Sequence, residues 1–592
     1  MRAIEQFPNL VTMFFARAEE RGDAPFLWRK AAGRWQSLSW TEVAHQVASL
    51  AAALKAQGLQ PGDPIMLVSE NRPEFCIADL AIMAAGCVTV PTYTTNTTRD
   101  HQHILTDSGA RAVIVSSAKL AQVLMPAVLR SQAGFVIGME PLRGVQGQIS
   151  CHMWSDLIAS HIADPDACAA EQTAGRQDLA CIIYTSGTGG APRGVMQHHG
   201  SILCNIEGAG RLVAEDFGWD EEVFLSFLPL SHAYEHSGGQ FLPIMLAGQI
   251  YYAEGLEKLA GNIEEARPTI MVVVPRLFEV LRTRIIKSIE KQGKFPAWLL
   301  AQALRIAAKE QKGEGSIADL PMKLLLGRTL KPKIAQRFGG RMKALVSGGA
   351  PLNPDVGLFF DAVGMTLLQG YGQTEAGPVI SCNRPRAGIA MDTVGPPLDG
   401  VEVRIAEDGE ILVRGELVMH GYWRNAAETA KALKEGWLHT GDIGEIDPKG
   451  RIRITDRKKD LIVNDKGDNV SPQKVEGILT LQPEIGQAMV HGDRRPHLVG
   501  LLVPDAEWTR EWAAAQGCGV DGIALDGAYQ AALRAAVDRV NVDLSVTERV
   551  RRFILADEPF TIDNGEMTPS MKIRRHIIRA RYQERLDALY KG

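Results

Sequence analysis

The 592-residue sequence has no uninterrupted apolar run of the roughly 18 to 20 residues that a membrane-spanning helix needs. Its longest apolar stretch, Cys76 to Pro91, carries Asp79 and is expected to be buried core. The opening residues lack the apolar core and small-residue cleavage site of a signal peptide, so none is expected. The 8 cysteines fall in no CxxC or other metal-ligand spacing, and a chain this long needs no disulfide framework. Reduced thiols and a cytoplasmic location are expected, with a peripheral position on the inner face of a membrane left open. An excess of one charge is also missing. The 64 basic and 69 acidic residues leave −5, a balance that argues against a nucleic-acid partner. Repeats and low-complexity tracts are absent.

What is present is a rhythm of helical patterns and short apolar runs, in a chain too long for one hydrophobic core. Thr41 to Leu59 reads as an amphipathic helix with a capping Thr, ending near Gly58. Pro64 to Ser69 reads as a buried strand, then Pro73 to Gly86 as a helix, Cys87 to Pro91 as a strand and Ala112 to Ser117 as another. Ala180 to Ser186, Thr269 to Pro275 and Lys343 to Gly349 repeat the strand signal. The pattern predicts an α/β fold, a large N-terminal domain of helix-covered mixed and parallel sheets. Short strands from Val401 to Thr455 predict a small antiparallel or barrel-like unit. The charge cluster Asp456-Arg-Lys-Lys-Asp-Leu461 marks a boundary, giving residues 1–456, a linker at 457–461 and a small α/β domain at 462–592.

Two stretches invite a chemical reading. Tyr184-Thr-Ser-Gly-Thr-Gly-Gly-Ala-Pro-Arg-Gly194 follows a strand and is rich in Gly and hydroxyls. Glycines at 187, 189 and 190 let backbone N–H groups approach an anion, hydroxyls at Thr185, Ser186 and Thr188 add donors, and Arg193 adds a positive charge. The loop reads as a phosphate cradle, or as a Gly-rich turn; it is neither a Walker loop nor GxGxxG. The second stretch, 281–343, holds 15 Lys or Arg against 4 Asp or Glu and reads as helical from Leu281 to Glu310. It is either a solvated surface or a basic face toward anionic lipid headgroups or nucleotide phosphates.

The loop resembles the phosphate loop of the adenylate-forming superfamily, which includes acyl-CoA synthetases, luciferases and peptide-synthetase adenylation domains. Further motifs follow in the order of that family. Leu228-Pro-Leu-Ser-His-Ala-Tyr-Glu235 resembles the segment whose His lines the acyl site. Ser347-Gly-Gly-Ala-Pro351 and Gln369-Gly-Tyr-Gly-Gln-Thr-Glu375 resemble the adenine and metal motifs. Thr440-Gly-Asp442 resembles the ribose motif, residues 456–461 the hinge, and Asn564 to Lys572 the C-terminal lysine motif. The resemblance implies ATP, Mg2+ and coenzyme A as participants and a mobile C-terminal domain. It implies Glu375 with Thr185 at the metal, and Gly348, Gly349, Ala350, Gln369, Gly370, Tyr371, Gly372 and Thr374 at the nucleotide. It also implies Asp442 and Arg457 at the ribose, Lys572 as the adenylation cation, Lys459 as the hinge, and Lys466 with Gly467 near coenzyme A. His232 is placed beside the acyl carboxylate; a satisfied core histidine is the alternative.

This sequence departs from the family pattern at three positions. Gly189 stands where the family usually has Thr, Arg193 stands for Lys, and His236 occupies an aromatic gate position. Arg267 to Glu279, the basic insert and Gly492 to Pro496 resemble the long-chain branch. The implied activity is an AMP-forming ligase joining a fatty acid to coenzyme A. A ligase loading a carrier protein, one for an aryl or shorter acid, and a non-catalytic binder are the alternatives. The basic insert leaves open contact with an anionic membrane beside the plain reading of a solvated surface.

Overall fold

The computed structural model describes residues 4–142, 149–185, 192–311, 313–458, 461–465, 468–568 and 573–591. Two eight-stranded sheets dominate. The first runs, edge to edge, through Val379–Cys382, Leu367–Gly372, Ala344–Ser347, Ile270–Val273, Val223–Ser226, Gln249–Tyr252, Pro25–Ala31 and Arg34–Ser39. Its inner pairs are parallel and its two edge strands antiparallel. The second runs through Gly421–Tyr422, Arg193–His198, Leu179–Thr185, Val88–Thr92, Pro64–Val68, Ala112–Val115, Phe135–Gly138 and Ser150–Met153, and only its first two pairings are antiparallel.

Helices Leu10–Arg21, Trp40–Ala56, Pro73–Ala84 and His199–Asp216 share one core with strands of both sheets. The reason lies in their composition. Pro73–Ala84 carries apolar side chains all round and buries eleven of its twelve residues, Asp79 included. Fully burying one such Ile, Leu or Phe contributes about 1.5–3 kcal/mol. Trp40–Ala56 starts one residue before the expected Thr, because Ser39 and Glu42 form the capping box, and it stops before Gly58 at φ +86°.

The helical text after residue 275 is not continuous. Pro275–Lys291 and Lys294–Gln311 are separate helices, broken where Gly293 takes φ +114°, which disfavours any other residue. Strands Glu402–Ile405, Glu410–Arg414, Leu433–Lys434, Trp437–Ile446 and Ile452–Arg457 form a five-stranded antiparallel sheet, the small β unit. Beyond it, Ile485–His491, Leu498–Pro504 and Val550–Leu555 form a three-stranded sheet with its own apolar core and flanking helices. No helix among the described residues is long and apolar enough to cross a membrane.

Candidate active site

The Ser347–Pro351 and Gln369–Glu375 stretches sit at the C-terminal ends of parallel strands, where α/β sheets present their loops. Ala344–Ser347 ends at Gly348, Gly349 and exposed Ala350; Leu367–Gly372 lies beside it with Ser347 opposite Gln369. Gly372 admits no side chain, because a Cβ there would overlap the carbonyl oxygen of Pro378. Gly370 pairs with Cys382 on the antiparallel edge strand. Gln369 is buried with its amide donating to the Met391 carbonyl at 2.5 Å.

Tyr371 is 8% exposed and donates its hydroxyl to Asp442 Oδ2 at 2.7 Å. Arg457 Nε donates to the other oxygen, Oδ1, at 2.9 Å. Asp442 and Arg457 face each other across adjacent antiparallel strands, so the β ladder sets their pairing. Burial, with the Asp442 charge beside it, holds the Tyr371 hydroxyl well above its ordinary pKa and therefore protonated as the donor. Thr440 Oγ1 accepts from the Asp442 N–H at 3.1 Å, fixing the turn that carries the carboxylate.

Thr374–Ala376 is a short helical turn that carries Glu375. Its backbone is held from two sides: Gln197 donates to the Thr374 carbonyl at 2.8 Å, and the Met419 N–H donates to the Glu375 carbonyl at 3.0 Å. Tyr422 donates to Glu375 Oε1 at 2.7 Å. The Arg193 guanidinium lies over the Tyr422 ring, 4.4 Å from its centroid, and donates to Glu428 Oε2 at 2.6 Å. Its Nε is buried without a partner among the described residues. Thr185 stands opposite Arg193 in the strand register, and Tyr184 donates to Asp107 at 2.6 Å. Glu375, Tyr422, Arg193, Glu428 and Thr185 therefore form one continuous group.

His232 is half-buried and caps the short helix Ala233–Glu235, its Nδ1 accepting from the Tyr234 N–H at 3.2 Å. That bond assigns the proton of the neutral ring to Nε2. Asn71 shapes the preceding turn, donating to the Leu228 carbonyl at 2.6 Å and accepting from the Leu230 N–H at 3.1 Å. Tyr234 reaches the turn after Ser347: its hydroxyl donates to the Val346 carbonyl at 2.9 Å, and a Cβ at Gly348 would lie 2.6 Å from its ring. Glu235 is fully buried, and burial pushes its carboxyl up to about 8. His236 opens a single π-helical turn, His236–Phe241, and bonds through Nε2 to Asp79 at 2.8 Å, with Gln240 donating to the same oxygen at 2.7 Å. All three are fully buried, so His236 belongs to a packed polar group.

The structure thus groups Tyr371 with Asp442 and Arg457, Glu375 with Arg193 and Thr185, and the His232 segment with Gly348. Ser186, Gly187, Thr188, Gly189, Gly190, Lys459, Lys466, Gly467 and Lys572 lie outside the described residues. Sequence reasoning missed Tyr422, Glu428, Asn71 and Gln197. No local pattern flags them, since each acts on a residue between 47 and 235 positions away.

Mixed sheets ending in glycine-lined turns, with an aromatic–carboxylate–arginine set and one further carboxylate, define a nucleotide-binding enzyme of the adenylating class. The chain belongs to the AMP-binding enzyme family, whose description matches residues 14–423; the AMP-binding enzyme C-terminal domain matches 459–592. It is 32% identical to Long-chain-fatty-acid--CoA ligase FadD15 of Mycobacterium tuberculosis, over 99% of this chain and 98% of that protein. It is 30% identical to Long-chain-fatty-acid--CoA ligase 6 of Mus musculus, over 96% and 85%. Among solved structures, the adenylation domain of a carboxylate reductase from Mycobacterium chelonae superposes with TM-score 0.78 at 22% identity, covering 99% of this chain and 92% of that one. The anthranilate CoA ligase AuaEII does so with TM-score 0.71 at 19%, covering 98% of each, and both share the fold.

Proposed function

We propose that this chain is an ATP-dependent, AMP-forming ligase that converts a long-chain fatty acid into its coenzyme A thioester through an acyl-adenylate. The buried Tyr371–Asp442–Arg457 set carries the reading of the first half-reaction. Each Asp442 oxygen has accepted one hydrogen bond and retains capacity for a ribose hydroxyl. The substrate class is supported by the near full-length likeness to long-chain fatty-acid ligases.

In the first step a carboxylate oxygen attacks the α-phosphorus and pyrophosphate leaves with the bonding electrons. His232 Nε2–H is a donor for the acid's oxygen, and Asn71 and Tyr234 hold it in place. In the second step the coenzyme A sulfur attacks the acyl carbon, AMP leaves, and the thiol proton passes to solvent. Two anions must meet in the first step, so positive charge at the phosphates lowers the barrier. Lys572 supplies it, and Arg193 at the start of its strand adds to it. Glu375, with Thr185, fits magnesium, which takes few protein carboxylates and fills its sphere with water and phosphate oxygens. That ion, when bound, offsets the triphosphate charge. Among the described residues no cluster of three His, Cys, Asp or Glu offers an all-protein metal cage.

Residues 1–456 form the substrate domain, 457–461 the hinge with Lys459, and 462–592 the small domain. Its turn brings Lys466 and Gly467 to coenzyme A. The setting is cytoplasmic, with peripheral membrane contact through 281–343. Pyrophosphate release from ATP with a ladder of fatty acids, with and without coenzyme A, tests the reading. Repeated turnover only with coenzyme A, peaking at a long chain, is expected. Single turnover indifferent to coenzyme A identifies a carrier-loading enzyme, and a peak at aryl or short acids overturns the long-chain assignment.

A further inference from the structure

Beside the acid-side turn lies a buried polar group that the proposed reaction leaves unused. Helix Pro73–Ala84 is apolar on every side, and Asp79 lies in it fully buried. A carboxyl group in such a core costs free energy unless it is hydrogen-bonded, and an apolar residue would pack the helix without that cost. Asp79 Oδ2 accepts from His236 Nε2 at 2.8 Å and from Gln240 Nε2 at 2.7 Å, while Oδ1 has no partner among the described residues. His236 and Gln240 are fully buried and four residues apart, so they share one face of the π-helical turn His236–Phe241. The wide turn is closed by the Leu242 N–H donating to the Ser237 carbonyl, five residues back. Asp79 thus pins both ends of a turn that helices rarely adopt and that recurs at functional sites.

Two glycines seat this turn. A Cβ at Gly238 would lie 3.0 Å from Val272, and one at Gly239 would lie 2.3 Å from Glu235 Oε1. The seated turn reaches the proposed site in two directions. Toward the acid side, the His236 N–H donates to the His232 carbonyl at 2.9 Å, and His232 caps Ala233–Glu235. Toward the metal side, Ser237 Oγ donates to the Gly377 carbonyl at 3.2 Å, and Gly377 closes the short turn that carries Glu375. One turn therefore braces both the acid-side histidine and the metal-side carboxylate, and Asp79 braces the turn. We propose that Asp79 is a positioning residue: through His236 and Gln240 it sets the π-helical turn that places His232 and Glu375 relative to each other. Asp79 acts through that turn and not on the reacting atoms. The roles of His232 and Glu375 rest on the ligase reading; the bracing does not.

Calorimetric binding to the full-length protein tests this, with magnesium-dependent ATP binding and long-chain fatty-acid binding read separately. Asp79→Asn keeps an oxygen that can accept from both partners and should bind both ligands within about twofold of wild type. Asp79→Ala leaves His236 and Gln240 buried and unpaired, and should weaken both by about tenfold. The variant Asp79→Ala/His236→Leu/Gln240→Leu separates positioning from folding. It exchanges the polar group for apolar side chains of similar total volume, so it should melt with the wild type. Both affinities should still fall about tenfold, because the brace is gone. Ser237→Ala should weaken magnesium-dependent ATP binding severalfold and leave acid binding unchanged. Wild-type affinities in the triple variant overturn the proposal, as does Asp79→Asn losing as much as Asp79→Ala. So does a Ser237→Ala protein that binds ATP as the wild type does, or a loss of affinity confined to variants that melt lower. A wild type that binds neither ligand overturns this proposal and the ligase reading together. If the binding pattern holds but no acid makes the wild type release pyrophosphate, the ligase reading fails and the brace stands.

Discussion

Tyr422 holds Glu375 by one hydrogen bond from its hydroxyl, while Arg193 packs on its ring and ties it to Glu428. Residues that orient a metal-binding carboxylate commonly matter about 10- to 100-fold when removed. Tyr422→Phe keeps the ring under Arg193 and removes only the bond. It should raise the magnesium concentration needed for half-maximal ATP binding by about tenfold, read calorimetrically, and leave magnesium-free ATP binding unchanged. An unchanged magnesium requirement would remove Tyr422 from the site. Glu235 gives a pH prediction. Burial raises its carboxyl from the ordinary 4.5 to about 8, against opposing bonds from Ser226 and the Phe227 backbone. Between those values the folded protein keeps a proton that the unfolded chain has released. Stability from this group is fully present below about pH 4.5 and falls, by at most about 1.4 kcal/mol per pH unit, up to pH 8. Glu235→Gln mimics the protonated form. Its melting temperature relative to wild type should rise steadily from pH 5 to pH 8, and a constant difference would contradict the assignment.

At the scale of elements, the turn Leu228–Ser231 has little structure of its own and borrows its shape from Asn71, 157 residues away. Asn71→Ala should raise KM for the acid severalfold while sparing KM for ATP, measured in steady state; equal effects on both would make Asn71 a general structural residue. This contrast explains what the sequence made legible. Strands Pro64–Val68, Val88–Thr92 and Ala112–Val115 were readable within two residues, because short, largely apolar runs with several β-branched residues, stopped by turns, carry their own signal. Helix Trp40–Ala56 was readable in extent but misread at its cap, since Ser39 and Thr41 both fit a capping pattern. The break at Gly293 was not readable, because an exposed Gly inside an amphipathic pattern is also tolerated in unbroken helices. Motif order placed Tyr371, Asp442 and Glu375 on the sequence, but their partners come from sheet register and from Gly421–Tyr422 pairing with the strand Arg193–His198. Such partners have no fixed spacing to read.

Across the whole molecule, among the described residues, the small C-terminal domain touches the larger one through few polar contacts. Arg276 donates to the Gly486 carbonyl at 2.8 Å, and Lys287 pairs with Glu507 at 2.9 Å and Glu511 at 3.6 Å. Partly exposed pairs of this kind contribute about 0–1 kcal/mol each, so they hold one arrangement without locking it. That weakness suits the proposed turn of this domain between two half-reactions. Lys572 is proposed to serve the first only. Lys572→Ala should reduce adenylate formation by at least about a hundredfold, yet leave thioester formation from supplied acyl-adenylate near wild type. Equal loss of both steps would exclude a separate second arrangement.

The central claim is that ATP is split between the α- and β-phosphorus to make an acyl-adenylate, which coenzyme A then consumes. A single-turnover experiment with enzyme in excess over ATP, quenched and analysed by mass spectrometry, measures this directly. Without coenzyme A, a long-chain acyl-AMP and pyrophosphate should accumulate in equal amounts. Adding coenzyme A should convert that pool to acyl-CoA and AMP, and Asp442→Ala should suppress both stages. ADP and phosphate in place of AMP and pyrophosphate, or acyl-CoA formed with no adenylate on the way, would contradict the account.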